Sequence, residues 1–146
     1  MGLKLLFVCT GNTCRSPMAE ALAKKLFGAA VKVSSAGLAA FPGQSASVYA
    51  AETLGEQGID LSGHCSRVFE AEMADEADWI IPMTGDQEQA LKNRFPEHEG
   101  KIRCLGDWGG KKKDIVDPWS GPREVYRQTA LEIETLLKVL REQLCP

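Results

Sequence analysis

A short apolar run, residues 4–9, passes through Thr10-Gly11-Asn12-Thr13-Cys14-Arg15 straight into a helical pattern opening at Ser16-Pro17. A strand without polar alternation is buried on both faces, as parallel strands covered by helices on either side are. Proline is tolerated in a first helical turn, where its missing N–H costs no hydrogen bond. Met18, Leu22 and Leu26 then share one face. Weaker strand patterns at 31–35, 79–83 and 101–105 alternate with helical ones. These lie at 47–57, closed by Gly58, at 68–76, and from the capping box Thr84-Gly85-Asp86-Gln87 to Pro96. From Gly121 onward, Tyr126, Ala130, Ile133, Leu137, Leu140 and Leu144 form one apolar stripe. A coiled-coil seam has the same spacing, but on an alternating chain such a stripe packs on the sheet. The expectation is an α/β fold: one three-layer domain over residues 1–146, with a four-stranded parallel, flavodoxin-like doubly wound sheet flanked by helices.

The first loop has the makings of an anion site. A glycine-bearing turn between a strand's carboxyl end and a helix's amino end aims backbone N–H groups and the positive end of the helix dipole at one point. In an open α/β sheet, ligands bind at this end of the strands. Arg15 adds a planar fork of donors that matches two phosphate oxygens. The same charges favour the thiolate of Cys9, making it a nucleophile, and Ser16 is placed to donate a hydroxyl hydrogen bond to it. The phosphate-binding residues are then Thr10, Gly11, Asn12, Thr13, Cys14 and Ser16.

Charge balance narrows the partners. Seventeen basic against twenty acidic residues, a formal net charge of −3, give no broad field for nucleic acid or an anionic membrane. No apolar run reaches the length of a membrane span, the opening Met1-Gly2-Leu3-Lys4-Leu5-Leu6-Phe7 carries no signal-cleavage pattern, and Leu6 departs from the myristoylation motif. Five cysteines, an odd number, read as reduced thiols in a cytoplasmic protein. Zinc on Cys9, Cys14, His64 and Cys65 is disfavoured because neither pair has the usual chelate spacing, so no metal or cofactor is expected.

The run Phe7-Val8-Cys9-Thr10-Gly11-Asn12-Thr13-Cys14-Arg15-Ser16-Pro17-Met18-Ala19-Glu20 resembles, nearly residue for residue, the active-site signature of low-molecular-weight protein tyrosine phosphatases. Ser35-Ala36-Gly37, Gly58-Ile59-Asp60-Leu61-Ser62-Gly63-His64, Met83-Thr84 and Asp117-Pro118 follow in that family's order. The resemblance implies phosphorylated protein substrates and a phosphocysteine intermediate. Cys9 and Arg15 are then catalytic and Asp117 is the general acid. It also implies an Asn12–His64 pair that holds the loop in its strained shape. A monomer is expected.

Cleaving a phosphate ester or phosphoramidate requires a proton for the leaving group, and Asp117, in a loop stiffened by Pro118, is the candidate donor. Cys14, five residues from Cys9 in a curved loop, is a candidate to capture an oxidised Cys9 as a disulfide. Thr13 stands where the eukaryotic tyrosine phosphatases carry an aliphatic residue, and Trp119 with Ser120 replaces their tyrosine pair. A threonine leaves room and a hydroxyl for a polar guanidinium, and this loop resembles that of the bacterial protein-arginine phosphatase subgroup. Phosphoarginine is therefore favoured over phosphotyrosine. Trp119 and Phe41 are expected as rim walls, suited to either group. Lys111, Lys112 and Lys113 read as a solvated turn near the acid loop, with attraction of acidic substrate proteins the alternative.

Three other classes fit less well. An arsenate reductase needs a closely spaced cysteine pair, whereas Cys65, Cys104 and Cys145 are scattered. A cysteine phosphocarrier domain needs neither Arg15 nor Asp117. A nucleotide-binding module would end its loop in Gly-Lys-Ser/Thr.

Overall fold

The computed structural model describes every residue except Met1, Lys112, Ser120 and Pro146. The expected lysine run and the Trp119–Ser120 pair therefore lie partly outside the described residues. Strands β1 (Leu3–Cys9), β2 (Val31–Gly37) and β3 (Trp79–Pro82) form a parallel sheet in the order β2-β1-β3. The central strand separates two layers by its alternation. Leu5, Phe7 and Cys9 face a cluster that includes Met18, Leu22, Ile133, Leu137 and Leu140, while Leu6 and Val8 face Phe69, Ile80, Leu91 and Phe95. All five of these β1 residues are buried, which accounts for the absence of polar alternation in the sequence.

Helices α1 (Arg15–Phe27) and α6 (Arg123–Leu144) cover the first face, with α2 (Val48–Gly55) beside them; α3 (Ala71–Glu76) and α4 (Gly85–Arg94) lie on the second. The apolar stripe of α6 enters the core from Tyr126 to Leu140, so it is a packing face rather than a coiled-coil seam; Leu144 is half-buried. Among the described residues no helix is long and apolar enough to cross a membrane.

Two expectations need correction. The fourth strand at 101–105 does not form. A 3₁₀ turn occupies Pro96–Lys101, a single bridge joins Ile102 to Ile80, and the chain then enters the short helix α5 (Leu105–Trp108). A donor needed for a strand ladder is taken elsewhere: the backbone N–H of Cys104 goes to Glu88 Oε1, sixteen positions earlier, at 2.7 Å. The third helix begins at Ala71, not Val68. Val68 bridges Gly37, and Gly37 donates to Arg67 O at 2.8 Å while accepting from Phe69 N at 2.9 Å. Those apolar residues serve as a strand-like clip on the end of β2.

Candidate active site

Residues 10–14 curve between the end of β1 and the start of α1, and no acidic side chain occupies that helix's first turn. An anion there meets the positive end of a thirteen-residue helix without competition. Cys9, Asn12, Cys14, Arg15 and Ser16 are all buried, whereas Thr10 is exposed at the mouth.

Asn12 sets the curvature. Among the described residues it is the one non-glycine with positive φ, at 56°, a conformation asparagine tolerates better than most. Its buried amide is fully used. Nδ2 donates to Ser16 Oγ at 2.8 Å and to Ser35 Oγ at 2.9 Å, and Oδ1 accepts from Arg67 N at 2.9 Å. Because Ser16 Oγ accepts from Asn12, its own proton is free for Cys9 Sγ, 2.9 Å away. Asn12 N adds a second contact to that sulfur at 3.3 Å. The Ser35 hydroxyl donates a hydrogen bond to Glu20, which is paired with Lys24. His64 joins this network through the backbone of Asn12, its Nε2 meeting that residue's carbonyl oxygen at 2.7 Å. Ser35, Glu20 and Arg67 are supports that sequence reasoning left unassigned. Ser35 and Glu20 stood inside the quoted motifs, but nothing local shows that their side chains meet.

Gly37 backs the loop. A Cβ at that position would stand 2.6 Å from Thr10 O, closer than side-chain carbons approach backbone, and a tight 3.0 Å from Asn12 N. Gly37→Ala should therefore displace the loop and weaken inorganic phosphate binding about tenfold or more, read by titration calorimetry. Unchanged affinity would show that the loop tolerates the shift.

Arg15 reaches across the cleft. Nη1 donates to Ile115 O at 2.9 Å, and Nη2 lies 3.7 Å from Asp117 Oδ2. Arg15 is buried and the Asp117 side chain is half exposed, so this contact orients the loop carrying Asp117 more than it stabilises the fold. The loop is clipped to the end of β3 by Ile115 N on Met83 O at 2.9 Å and by Gly85 N on Asp114 Oδ1 at 2.8 Å. Asp117 Oδ1 also accepts from Trp119 N at 3.0 Å.

The structure brings Cys9, Arg15, Asp117 and the loop residues together, but it separates the two expected rim aromatics. Trp119, 71% exposed, lines an open cleft of about 550 Å³ with Val48, Tyr49, Pro122 and Tyr126. Phe41, 74% exposed, is not among that cleft's lining residues, and its carbonyl accepts the Ser66 hydroxyl. Tyr49, packed edge-on against Tyr126 at 5.5 Å, is the second aromatic of the cleft and had no signal in the sequence beyond its type. Lys113 is tied to Glu132 at 3.1 Å. Cys65 is exposed, and among the described residues no three His, Cys, Asp or Glu side chains converge to hold a metal ion.

Cys14 contacts Ser47 Oγ at 3.2 Å and Tyr126 Oη at 3.6 Å. Burial pushes its thiol above the usual range, with the Ser47 and Tyr126 contacts partly offsetting that. Burial and the Cys14 contact push the Tyr126 phenol up to about 12, so it remains a proton donor.

The model of the low molecular weight phosphotyrosine protein phosphatases matches residues 4–145. A protein-arginine-phosphatase of Geobacillus stearothermophilus is 43% identical over 145 residues, 99% of this chain and 97% of the relative. A low molecular weight protein-tyrosine-phosphatase of Acinetobacter johnsonii is 37% identical over 131 residues, 90% of each chain. A solved mutant of the YwlE arginine phosphatase with a phosphorylated active-site serine superposes with a TM-score of 0.92 at 38% identity, covering 97% of this chain and 95% of its own.

Proposed function

The chain belongs to the low molecular weight phosphotyrosine protein phosphatase family, and from that premise we propose that it hydrolyses phosphoarginine in proteins through a phosphocysteine at Cys9. Cys9 Sγ attacks phosphorus in line as the P–N bond breaks, and the bond's electron pair leaves on the guanidine nitrogen with a proton from Asp117. The loop amides and Arg15 hold the equatorial oxygens. The Asp117 carboxylate then takes a proton from water, the oxygen attacks phosphorus, and the S–P bond breaks. The departing thiolate accepts the hydrogen bond of Ser16, whose proton Asn12 has directed there.

Substrate choice rests on Thr13. Its Oγ1 leans over Gly11, 3.6 Å from where a Cβ would stand, and offers a guanidinium a hydroxyl where an aliphatic wall would suit a phenol. The arginine activity named for the Geobacillus relative agrees with this. Steady-state kcat/KM on matched phosphoarginine and phosphotyrosine peptides should favour arginine, and Thr13→Ile should move the ratio about tenfold or more toward tyrosine. An unchanged ratio would remove Thr13 as the determinant. The second reading, a protein-tyrosine phosphatase, draws on the Trp119–Tyr49 cleft, which fits a flat phenol equally well. A phosphocarrier is disfavoured by the Arg15–Asp117 arrangement, which serves leaving-group protonation.

Peroxide converts Cys9 to a sulfenic acid. Attack by the Cys14 thiolate then forms an S–S bond with loss of hydroxide, guarding Cys9 from further oxidation. Because burial raises the Cys14 thiol, its thiolate is scarce at neutral pH, and the capture rate should rise about tenfold per pH unit below that thiol's pKa. Mass spectrometry after a brief peroxide pulse should find the Cys9–Cys14 link, faster at higher pH. Sulfinic acid alone would exclude the guard, and a pH-independent rate would exclude attack by the Cys14 thiolate as the slow step.

A further inference from the structure

Gln87 is a polar side chain buried at the start of α4, and its amide touches three separate pieces of backbone and loop. Oε1 accepts from Met83 N at 3.0 Å and Thr84 N at 3.2 Å, where β3 ends, and Nε2 donates to Thr10 Oγ1 at 3.2 Å. Its backbone N–H donates to the Thr84 hydroxyl oxygen, the helix cap, at 3.2 Å. The orientation of the amide is fixed by its surroundings. Turned over, it would set an NH₂ group against two backbone N–H donors, so the Nε2 edge has to face Thr10.

This fixes the hydroxyl in turn. One lone pair of Thr10 Oγ1 is held from the α4 side, and the proton is left pointing away from that helix. Thr10 follows Cys9 directly, at the start of the loop, and is exposed. The arrangement repeats the one on the buried side of the loop, where the amide of Asn12 occupies Ser16 Oγ and frees that proton for Cys9. Without Gln87, an exposed hydroxyl would rotate among water partners and spend part of its time offering a lone pair to the phosphoryl oxygens.

We propose that Gln87 is a positioning residue that holds the Thr10 hydroxyl as a hydrogen-bond donor to the phosphoryl oxygens seated in the loop. The proposal rests on the phosphatase reading of the site. It gives the capping box a second role: the residue that ends the orphan N–H groups of α4 also sets one polar wall of the anion pocket.

A double-mutant cycle on the intact protein tests it, with inorganic phosphate as the probe and affinity read by titration calorimetry. Gln87→Glu keeps an acceptor for Met83 N and Thr84 N, so the cap survives, but it replaces the donor facing Thr10 with an acceptor and draws the hydroxyl proton away from the pocket. Gln87→Glu and Thr10→Val should each weaken phosphate binding about tenfold, and the double variant should be no weaker than either single one. Thr10→Ser should stay within about threefold of the parent and remain sensitive to Gln87→Glu. Equal circular dichroism and melting temperature among the variants establish that the fold is kept. If Gln87→Glu weakens binding equally with valine at position 10, its effect is repulsion by the new charge, and the positioning role is overturned. If Gln87→Glu leaves phosphate affinity unchanged, Gln87 is a cap alone and the proposal is equally overturned. Failure of the parent protein to bind phosphate would instead bring down the phosphatase reading, and this proposal with it.

Discussion

Cys9→Ser should lower turnover of a phosphoarginine peptide by about four orders of magnitude or more while sparing phosphate binding. The asymmetry follows from the division of labour around the sulfur. In the proposed mechanism the loop amides, the α1 terminus and Arg15 hold the anion, and none of them depends on the identity of the atom at position 9. Attack does depend on it, because a serine hydroxyl ionises far less readily than a thiol in the same field. A serine oxyanion is also a poorer leaving group, so any phosphoryl group that transfers should stay on Ser and be visible by intact-protein mass spectrometry as one added phosphoryl. The solved relative with a phosphorylated active-site serine shows that such a species persists in a protein of this fold. Substantial turnover by the serine variant would refute nucleophilic attack by Cys9.

Arg15→Lys should cost about a thousandfold in kcat/KM, or about 4 kcal/mol of transition-state stabilisation, divided between weaker phosphate binding and slower chemistry. The guanidinium does two things a single ammonium cannot. It offers paired donors to phosphate oxygens, and it spans from Ile115 O to Asp117, tying the acid loop to the anion site. A lysine that kept the charge would release one of these ends. The competitive constant of inorganic phosphate separates the two losses: if it accounted for the whole decrease and kcat held, Arg15 would bind phosphate without steering Asp117. A total decrease under tenfold would remove Arg15 from the chemistry altogether.

Much of the architecture was legible because it is written in local patterns. The unbroken apolar run of β1, proline in the first turn of α1, the Thr84–Gln87 box and the α6 stripe each depend on residues within a few turns of one another. What is not legible locally depends on distant partners. Residues 101–105 have a strand-like composition, and only a carboxylate sixteen positions earlier, Glu88, diverts the Cys104 amide and lets α5 begin. Val68 and Phe69 read as the apolar face of a helix, but they are spent on Gly37 at the end of β2. The site divides in the same way. Cys9 to Ser16 are contiguous and legible as one motif, whereas the links from Asn12 to Arg67 and from Gln87 to Thr10 span 55 and 77 positions. His64 meets Asn12 through the backbone carbonyl, an atom that sequence does not distinguish.

The placement of Cys65 gives this protein a natural optical handle. It is an exposed thiol lying between His64, which holds the carbonyl of Asn12, and Arg67, whose backbone N–H holds the side chain of the same residue. A small environment-sensitive dye attached there sits on the segment that braces the loop yet outside the loop itself. With Cys9 shielded by phosphate during labelling and Cys145 replaced, its emission would follow filling and emptying of the anion site in real time, without a chromogenic substrate.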